Sequence, residues 1–326
     1  KAEVARTEIH ITAASGEAND SGVTLTDAGD LEFFDNRVKA TAGAGCSVVG
    51  GDAVCPLTGI TQIVVALGDK NDSLSIEATL PPLSFSGGTG TDEVIYAGDV
   101  KGGATVTLDG VANDGRGVAL DNIAADVEVV DGTFESDTLI AGATGVLLNG
   151  SDGDDTLTGG AGNDNIKAAY VEDTGLDLGA FSTQGKDTIS CGGGNDQVFA
   201  DAKDKIASDC EVIGKPAGGD RYAYMGSAGN DTITVGEFVN ATVHGLGGND
   251  SISLPGQGNG SLYGDAGNDK LKGSQGFDKF SGGPGNDSIN ARDKTVDSIS
   301  CGTGRDSVKA DKKDKVARDC EKVSRK

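Results

Sequence analysis

A nine-residue repeat constrains the fold of this chain more than any other feature of its sequence. Position 4 of the repeat is glycine, position 6 is aspartate and position 8 is aliphatic, as in the stretch "GGAGNDNIK" that starts at Gly159. The matching units begin at Gly87, Gly150, Gly159, Ser182, Cys191, Gly226, Gly245, Gly264, Gly273, Gly282 and Cys301. Several units follow one another without a gap, which a disordered Gly/Asp-rich linker would have no reason to maintain.

Each repeat position has a physical role. Glycine permits the positive φ of a tight turn, and the alternation around position 8 favours a very short strand with its middle side chain buried. Two units then form one turn of a flattened solenoid, and successive turns stack about 4.8 Å apart. The pattern therefore predicts an all-β fold of stacked parallel strands with turns along two edges. The predicted interior stack consists of Leu157, Ile166, Ile189, Val198, Ile233, Val243, Ile252, Leu262, Leu271, Phe280, Ile289, Ile299 and Val308.

The acidic residues admit two interpretations, a solvated acidic surface or a store of cation ligands, and their fixed spacing favours the second. Oxygen ligands at glycine-rich turns suit Ca²⁺ better than zinc or copper. The predicted carboxylate ligands are Asp72, Asp92, Asp137, Asp155, Asp164, Asp187, Asp196, Asp231, Asp250, Asp269, Asp278, Asp287, Asp297 and Asp306, with Asp69 as a further candidate. Turn carbonyls are predicted to contribute at Gly87, Gly150, Gly159, Gly226, Gly245, Gly264 and Gly282.

The last third of the chain predicts an asymmetry between the two edges. One edge should carry a continuous calcium column, through Asp231, Asp250, Asp269, Asp287 and Asp306. The opposite edge has units without aspartate at Gly236 and Pro255, so it should bind little calcium before Asp278 and Asp297.

The repeat resembles the RTX, or hemolysin-type, calcium-binding repeat G-G-x-G-x-D-x-U-x, and the resemblance covers most of residues 87–317. This resemblance implies a right-handed parallel β-roll that folds when calcium binds. Residues 125–166 also resemble the entry into the roll of secreted serralysin-like proteases, where the similarity is to the calcium-binding module and not to a catalytic domain.

The six cysteines form three local pairs. Cys46 and Cys55 lie close in sequence, while Cys191/Cys210 and Cys301/Cys320 occur in two near copies, each pair 19 positions apart. Nineteen residues are two repeats plus one, which places the second cysteine one layer further on the same edge, within disulfide reach. We therefore predict three disulfides and an oxidising, extracellular setting.

The composition suggests three segments: an N-terminal β-domain or cap (1–65), a first calcium-binding roll (66–213) ending in the Cys191–Cys210 staple, and a second roll (214–326) ending in Cys301–Cys320. The stretch "GKPAGGDRY" is predicted to be the linker. Strand-like runs separated by Gly, Asn and Asp turns occupy the cap.

Charge and hydropathy exclude some partners. The net charge of −24 argues against nucleic acid and anionic membranes, and no apolar run is long enough for membrane insertion. The opening at Lys1 is typical of a processed secreted chain, and only six residues follow Cys320, too few for a C-terminal export signal. We expect a secreted or cell-surface protein that uses Sec-type export.

The sequence holds no H-E-x-x-H or G-x-S-x-G motif, and its only histidines, His10 and His244, are 234 positions apart. We therefore expect no enzymatic activity. The favoured function is a structural protein that self-assembles head to tail, because residues 1–36 carry two basic and eight acidic residues, whereas residues 309–326 carry eight basic and four acidic ones. The charges could instead protect the solenoid ends from unwanted pairing.

Two alternative functions remain open at this point. The roll could be the spacer of an adhesin or carbohydrate-binding module that contacts a surface polysaccharide through Phe33, Phe34, Phe85 or Tyr96. It could also be the non-catalytic part of an RTX exoprotein.

Overall fold

A computed structural model describes residues 1–5, 7–97, 101–117, 120–168, 170–171, 181–182, 185–194, 196–200, 204–207, 209–210, 212–216, 221–235 and 240–326. These residues form strands and turns, with no helix among them. Accordingly, no helix of the described chain could cross a membrane. Arg6, residues 217–220 of the predicted linker and the predicted weak turn at Gly236 lie outside the described residues.

The chain divides into two compact units. Unit 1 comprises Lys1–Tyr170, Ser182–Gly194 and Lys203–Ala207, and unit 2 comprises Val171–Phe181, Asn195–Ala202 and Ser208–Lys326. The strand Gln62–Asp69 of unit 1 runs across the position 65/66 at which the sequence suggested a boundary.

Unit 1 contains three stacks of strands, and the strands of each stack are named in their spatial order. The first consists of Ala2–Ala5, Glu8–Thr12, Gln62–Asp69, Leu83–Thr89 and Asn122–Ile123. The second consists of Ser47–Val49, Asp52–Cys55, Leu31–Asp35, Asp20–Leu25, Ser73–Ile76, Glu93–Tyr96, Val129–Asp131, Leu147–Asn149 and Asn165–Lys167. The third consists of Gly115–Arg116, Ala104–Thr107, Thr138–Ile140, Thr156–Thr158, Thr188–Ser190 and Lys205–Ile206.

Unit 2 contains two stacks. One consists of Gln197–Phe199, Val212–Pro216, Arg221–Met225, Asn240–His244, Gly260–Tyr263, Lys279–Pro284, Ser298–Thr303 and Lys315–Val316. The other consists of Thr232–Thr234, Ser251–Ser253, Lys270–Lys272, Ser288–Ala291, Ser307–Ala310 and Lys322–Arg325. Two further short strands are Tyr170–Val171 and Phe181–Ser182.

Parallel pairing dominates both units, as the repeat predicts. Most layers of unit 2 are offset by 18 or 19 residues, as in Ile252 opposite Leu271 and Leu271 opposite Ile289, so two repeats build one turn. Every residue of the predicted interior stack is buried. The fold is therefore a parallel β-solenoid of the β-roll type whose thin core is a column of aliphatic side chains.

Antiparallel pairs occur where the repeat is absent or degenerate. They lie within residues 2–55 and 104–116, and Val212–Pro216 pairs antiparallel with Arg221–Met225 at the predicted linker. The parallel stack also begins earlier than the motif does, because Glu8–Thr12 pairs with Gln62–Asp69 and Asp20–Leu25 pairs with Ser73–Ile76. Residues 8–25 are thus a layer of the roll itself.

All six cysteines lie in the described residues, and none is free. Cys46–Cys55 joins the ends of a hairpin, and Cys301–Cys320 spans a Cα–Cα distance of 5.2 Å across consecutive layers. Cys191 and Cys210 are also disulfide-bonded.

Candidate metal centre

Stacking of the repeats brings the position-6 aspartates into ladders along the edges of the roll. The N–H of each aspartate donates to the Oδ1 of the aspartate one layer further, so that a carboxylate and a backbone amide alternate. In unit 2 the first edge joins Asp231 to Asp250 (2.9 Å), Asp250 to Asp269 (2.8 Å), Asp269 to Asp287 (2.9 Å) and Asp287 to Asp306 (2.8 Å). The opposite edge joins Asp278 to Asp297 (2.9 Å).

Unit 1 has the same arrangement on both edges. One ladder joins Asp72 to Asp92 at 2.9 Å, and the other joins Asp137 to Asp155 (2.9 Å) and Asp155 to Asp187 (2.8 Å). Asp164 accepts the N–H of Val146 at 2.8 Å. Asp196, which belongs to unit 2, is also buried. All fourteen predicted carboxylates are therefore buried at layer junctions.

Asparagine at position 5 forms a second, outer ladder. Asn249 donates its N–H to Asn230 Oδ1 at 2.6 Å, and Asn268 donates to Asn249 Oδ1 at 2.8 Å. The recurring "ND" pair thus serves two neighbouring ladders.

The second carboxylate oxygen divides the turns into two classes. In the open turns, Oδ2 is buried and has no hydrogen-bond partner, and the residue at position 2 has a positive φ, as at Leu246 (+71°) and Asp265 (+63°). The open turns end at Asp72, Asp92, Asp155, Asp250, Asp269, Asp287 and Asp306. Asp297 also has a buried Oδ2 without a hydrogen-bond partner, but the position-2 residue of its turn, Asp293, has no positive φ.

In the closed turns, the N–H of the position-2 residue donates a hydrogen bond to Oδ2 of the aspartate. Thr133 donates to Asp137 at 2.7 Å, and Ser274 donates to Asp278 at 2.8 Å. The closed turns end at Asp137, Asp164, Asp231 and Asp278, and none of their position-2 residues has a positive φ. The chain itself therefore satisfies these carboxylates.

The preceding layer accounts for the difference. The amide that binds Oδ1 comes from Ala104, Val146 or Gly260 in three closed turns, so no carboxylate lies one layer before them. In the open turns, the amide that binds Oδ1 comes from another aspartate, or from Asn19 in the case of Asp72. Except at Asp72, which follows Asn19, open turns thus arise where two acidic side chains stack, and there a cation can be shared between layers.

Burial makes the charged form of these side chains costly. Burial, with a contribution from the carboxylates of Asp137 and Asp187, raises the pKa of Asp155 to about 8. Burial likewise raises the pKa of Asp250 to about 6 and of Asp287 to about 6, with additional contributions from adjacent aspartates. Buried, unpartnered carboxylates of this kind call for a cation.

The first residue of five of the seven open turns is glycine for a steric reason, and Leu67 and Cys301 take this position in the turns of Asp72 and Asp306. A Cβ at Gly245 would lie 2.2 Å from Asp250 Oδ2 and 2.6 Å from the carbonyl oxygen of Gly264. A Cβ at Gly264 or Gly282 would meet the corresponding aspartate equally closely. The carboxylate and the turn carbonyls of successive layers therefore converge on the space that a side chain would fill, and a hard cation with oxygen ligands fits these residues.

Sequence reasoning missed several members of the ladders. In the ladders, Asn19 lies one layer before Asp72. Glu128 lies one layer after Asp92, and Glu321 lies one layer after Asp306. Asp204 and Asp314 lie one layer after Asp187 and Asp297, respectively. The stretches "DKI" and "DKV" that begin at Asp204 and Asp314 keep the aspartate and the aliphatic residue two positions later, which was a usable signal. Asp69, by contrast, accepts the N–H of Gly16 at 2.6 Å in the N-terminal layer.

The histidines are not members of the aspartate ladders and belong to different units. His10 contacts Glu8, whereas His244 stacks on Tyr263 with ring centroids 4.3 Å apart and places Nδ1 3.0 Å from Asp265 Oδ2. Both histidines therefore contact residues of their own strand or of the neighbouring layer.

Comparison with known proteins identifies the repeat. The family model for the RTX calcium-binding nonapeptide repeat matches residues 131–166, 181–202, 224–238 and 256–293. No curated protein is similar enough to the chain to count as a match. Taken with the parallel β-roll and the buried aspartate ladders, the match supports an RTX-type calcium-binding repeat protein.

Proposed function

We propose that this protein is a secreted, non-enzymatic structural protein whose roll is locked by calcium and assembles with copies of itself into an extracellular filament, matrix or surface layer. The observation that carries the calcium-locked part is the run of buried, unpartnered Oδ2 atoms in the open turns. A fold that buries these charges without a counterion is costly, so folding and calcium binding are coupled.

Calcium, when bound, would supply the positive charge that neutralises the carboxylates between successive layers. The open-turn aspartates would hold it, together with the carbonyls of the glycine turns. The closed-turn aspartates contribute less, because both oxygens of Asp137 and of Asp278 already accept hydrogen bonds from the chain.

Two features support self-assembly. The strand Lys322–Arg325 is exposed along its whole length and pairs within the described chain only with Ser307–Ala310, so one of its edges is available. It belongs to a basic stretch, whereas the N-terminal stretch is acidic. Opposite charges and an open strand edge suit a repeated head-to-tail contact.

The carbohydrate-binding alternative gains no support from the aromatic residues that it would use. Phe33, Phe85 and Tyr96 are buried, and the ring of Phe34 covers Gly22 so closely that a Cβ there would lie 2.1 Å from it. The disulfides fit a secreted protein.

Electron microscopy of the purified protein in millimolar calcium and after EGTA, with circular dichroism alongside, tests the proposal. Ordered filaments or sheets that dissolve with loss of β signal are the expected result. Folded monomers in calcium would overturn self-assembly while keeping the calcium-locked roll, and a β signal indifferent to EGTA would overturn the calcium lock.

A further inference from the structure

A cluster of three carboxylates on the second edge of unit 2 departs from the repeat. Oxygen atoms of Asp278, Asp293 and Asp297 all lie within 4.8 Å of one another. Asp278 and Asp297 occupy position 6 of their turns, whereas Asp293 belongs to no repeat position that normally carries an acid. The ladder alone therefore does not explain why a third carboxylate is present.

The turn that carries Asp293 has lost the features of an ordinary calcium turn. Its sequence "ARDKTVD" contains no glycine, and Lys294 takes the left-handed conformation with φ +83°. That conformation is unfavourable for a residue with a Cβ. The turn nevertheless keeps a defined shape, because Thr295 donates its N–H to Asp293 Oδ1 at 2.7 Å, and the Thr295 hydroxyl lies 2.5 Å from Asp293 Oδ2.

The turn that carries Asp293 also contacts the preceding layer. The Thr295 hydroxyl also lies 2.9 Å from the carbonyl oxygen of Gln275, which belongs to the closed turn of Asp278. The site thus draws on two successive layers, as the glycine turns do, but with a carboxylate side chain where those turns use backbone.

Asp297 supplies an independent indication that a ligand binds at this cluster. It is only 1% exposed, its Oδ1 accepts the N–H of Asp278, and its Oδ2 has no hydrogen-bond partner. No lysine or arginine of the described chain lies within ion-pair distance of the three carboxylates. The three carboxylates therefore surround a buried oxygen without a hydrogen-bond partner, and no basic side chain of the described chain neutralises them. Solvent would stabilise an acidic patch on the surface, but it cannot do so for a buried oxygen.

We propose that Asp278, Asp293 and Asp297 form a divalent-cation site specific to this chain, in which the Asp293 side chain replaces the missing turn carbonyls and Ca²⁺ is the ion. The inference rests on the calcium-binding role proposed above and extends it to a turn that lacks the repeat's glycines. Hard oxygen donors from flexible turns are the ligands that Ca²⁺ prefers. The site gives the second edge a bound ion at the point where the ladder runs from Asp278 to Asp297.

The test compares the full-length protein with its Asp293→Asn variant, which retains an oxygen for the Thr295 N–H. Equilibrium dialysis with metal analysis counts bound calcium, and circular dichroism checks that both proteins are folded at saturating calcium. Asp27→Asn is the control, because Asp27 is exposed in a turn of unit 1 and the charge change is the same. We expect Asp293→Asn to lose one calcium per chain and Asp27→Asn to lose none.

A second measurement locates the ion. Crystals soaked in terbium should show an anomalous peak about 2.3–2.6 Å from the carboxylates in the parent protein and none there in Asp293→Asn. An unchanged calcium count together with no peak at this cluster would overturn the site, while a parent protein that binds no calcium at all would overturn the proposed function instead.

Discussion

At the scale of single residues, the close stacking of turns decides which glycines can be replaced. Gly283 has φ +116°, and a Cβ there would lie 1.8 Å from the carbonyl oxygen of Asp265 in the preceding layer. We expect Gly283→Ala to destabilise the calcium-loaded protein by more than about 3 kcal/mol, because backbone strain is joined by a clash that the stacked layers cannot relieve. Urea unfolding at saturating calcium measures this loss.

The Gly29→Ala variant separates the cost of backbone strain from the cost of a steric clash. Gly29 has φ +81°, but a Cβ there would meet no atom within 4 Å. We expect this variant to lose only about 1–2 kcal/mol of stability, which is the cost of the left-handed conformation alone. Equal losses in the two variants would contradict the close approach of the layers at Gly283.

At the scale of the turn, the two classes predict different responses to loss of a carboxylate. Asp287 ends an open turn with an unpartnered Oδ2, whereas both oxygens of Asp231 accept hydrogen bonds from Ser227. Asp287→Asn should remove at least one calcium, and a site held at 100 times its Kd contributes about 2.7 kcal/mol of stability. Asp231→Asn should lose less calcium. Calorimetric titration, with thermal unfolding in calcium and in chelator, measures both effects.

In chelator, Asp287→Asn should not destabilise the protein, and this expectation serves as an internal check. Burial raises the pKa of Asp287 to about 6, so its charge is unfavourable in the calcium-free fold at neutral pH. The amide carries no charge, and the variant should therefore be no less stable than the parent protein in chelator. A variant equally destabilised with and without calcium would show that Asp287 acts through packing and not through the ion.

The periodic part of this architecture could be predicted from sequence, and the rest depends on distant pairing. Position 8 located the interior stack because each repeat has the same burial pattern, as at Leu271 and Ile289. The layer at residues 8–25 was missed because its partner strands lie about fifty residues away and Asn19 replaces the aspartate of the motif. The open and closed turns were also missed, since the class depends on the neighbouring layer rather than on the turn's own sequence.

The strands at the end of unit 2 are short or exposed, and a disulfide adds to the hydrogen bonds that hold them. Lys315–Val316 has two residues, Lys322–Arg325 is exposed, and Cys301–Cys320 ties this segment to the layer before it. Replacing both cysteines with serine should destabilise the protein by about 2–4 kcal/mol. The double variant should be cleaved by trypsin after Lys315 or Lys322 before any other change appears. The Cys46→Ser/Cys55→Ser variant is the control, and early cleavage at the same sites in that protein would contradict the assignment.

At the scale of the whole molecule, a net charge of −24 and buried carboxylate ladders make the fold depend on what neutralises them. Calcium and protons can each do so, which sets them in competition. Burial raises the pKa of Asp155 to about 8 and of Asp297 to about 7, with nearby aspartates contributing to both. An unfolded aspartate releases its proton near pH 4.

This competition predicts how the stability of the calcium-free protein depends on pH. Between about pH 4 and pH 8 the folded chain retains protons that the unfolded chain has released, so its free energy of unfolding must fall as the pH rises through that window. Calcium affinity should change in the opposite direction, strengthening as the pH rises, because binding displaces those protons. Urea unfolding of metal-free protein and calcium titrations, both at about pH 5, 6, 7 and 8, measure the two trends. A metal-free stability that rises with pH would mean that the aspartates are charged and satisfied by the chain itself, and would remove the physical basis for calcium-locked folding.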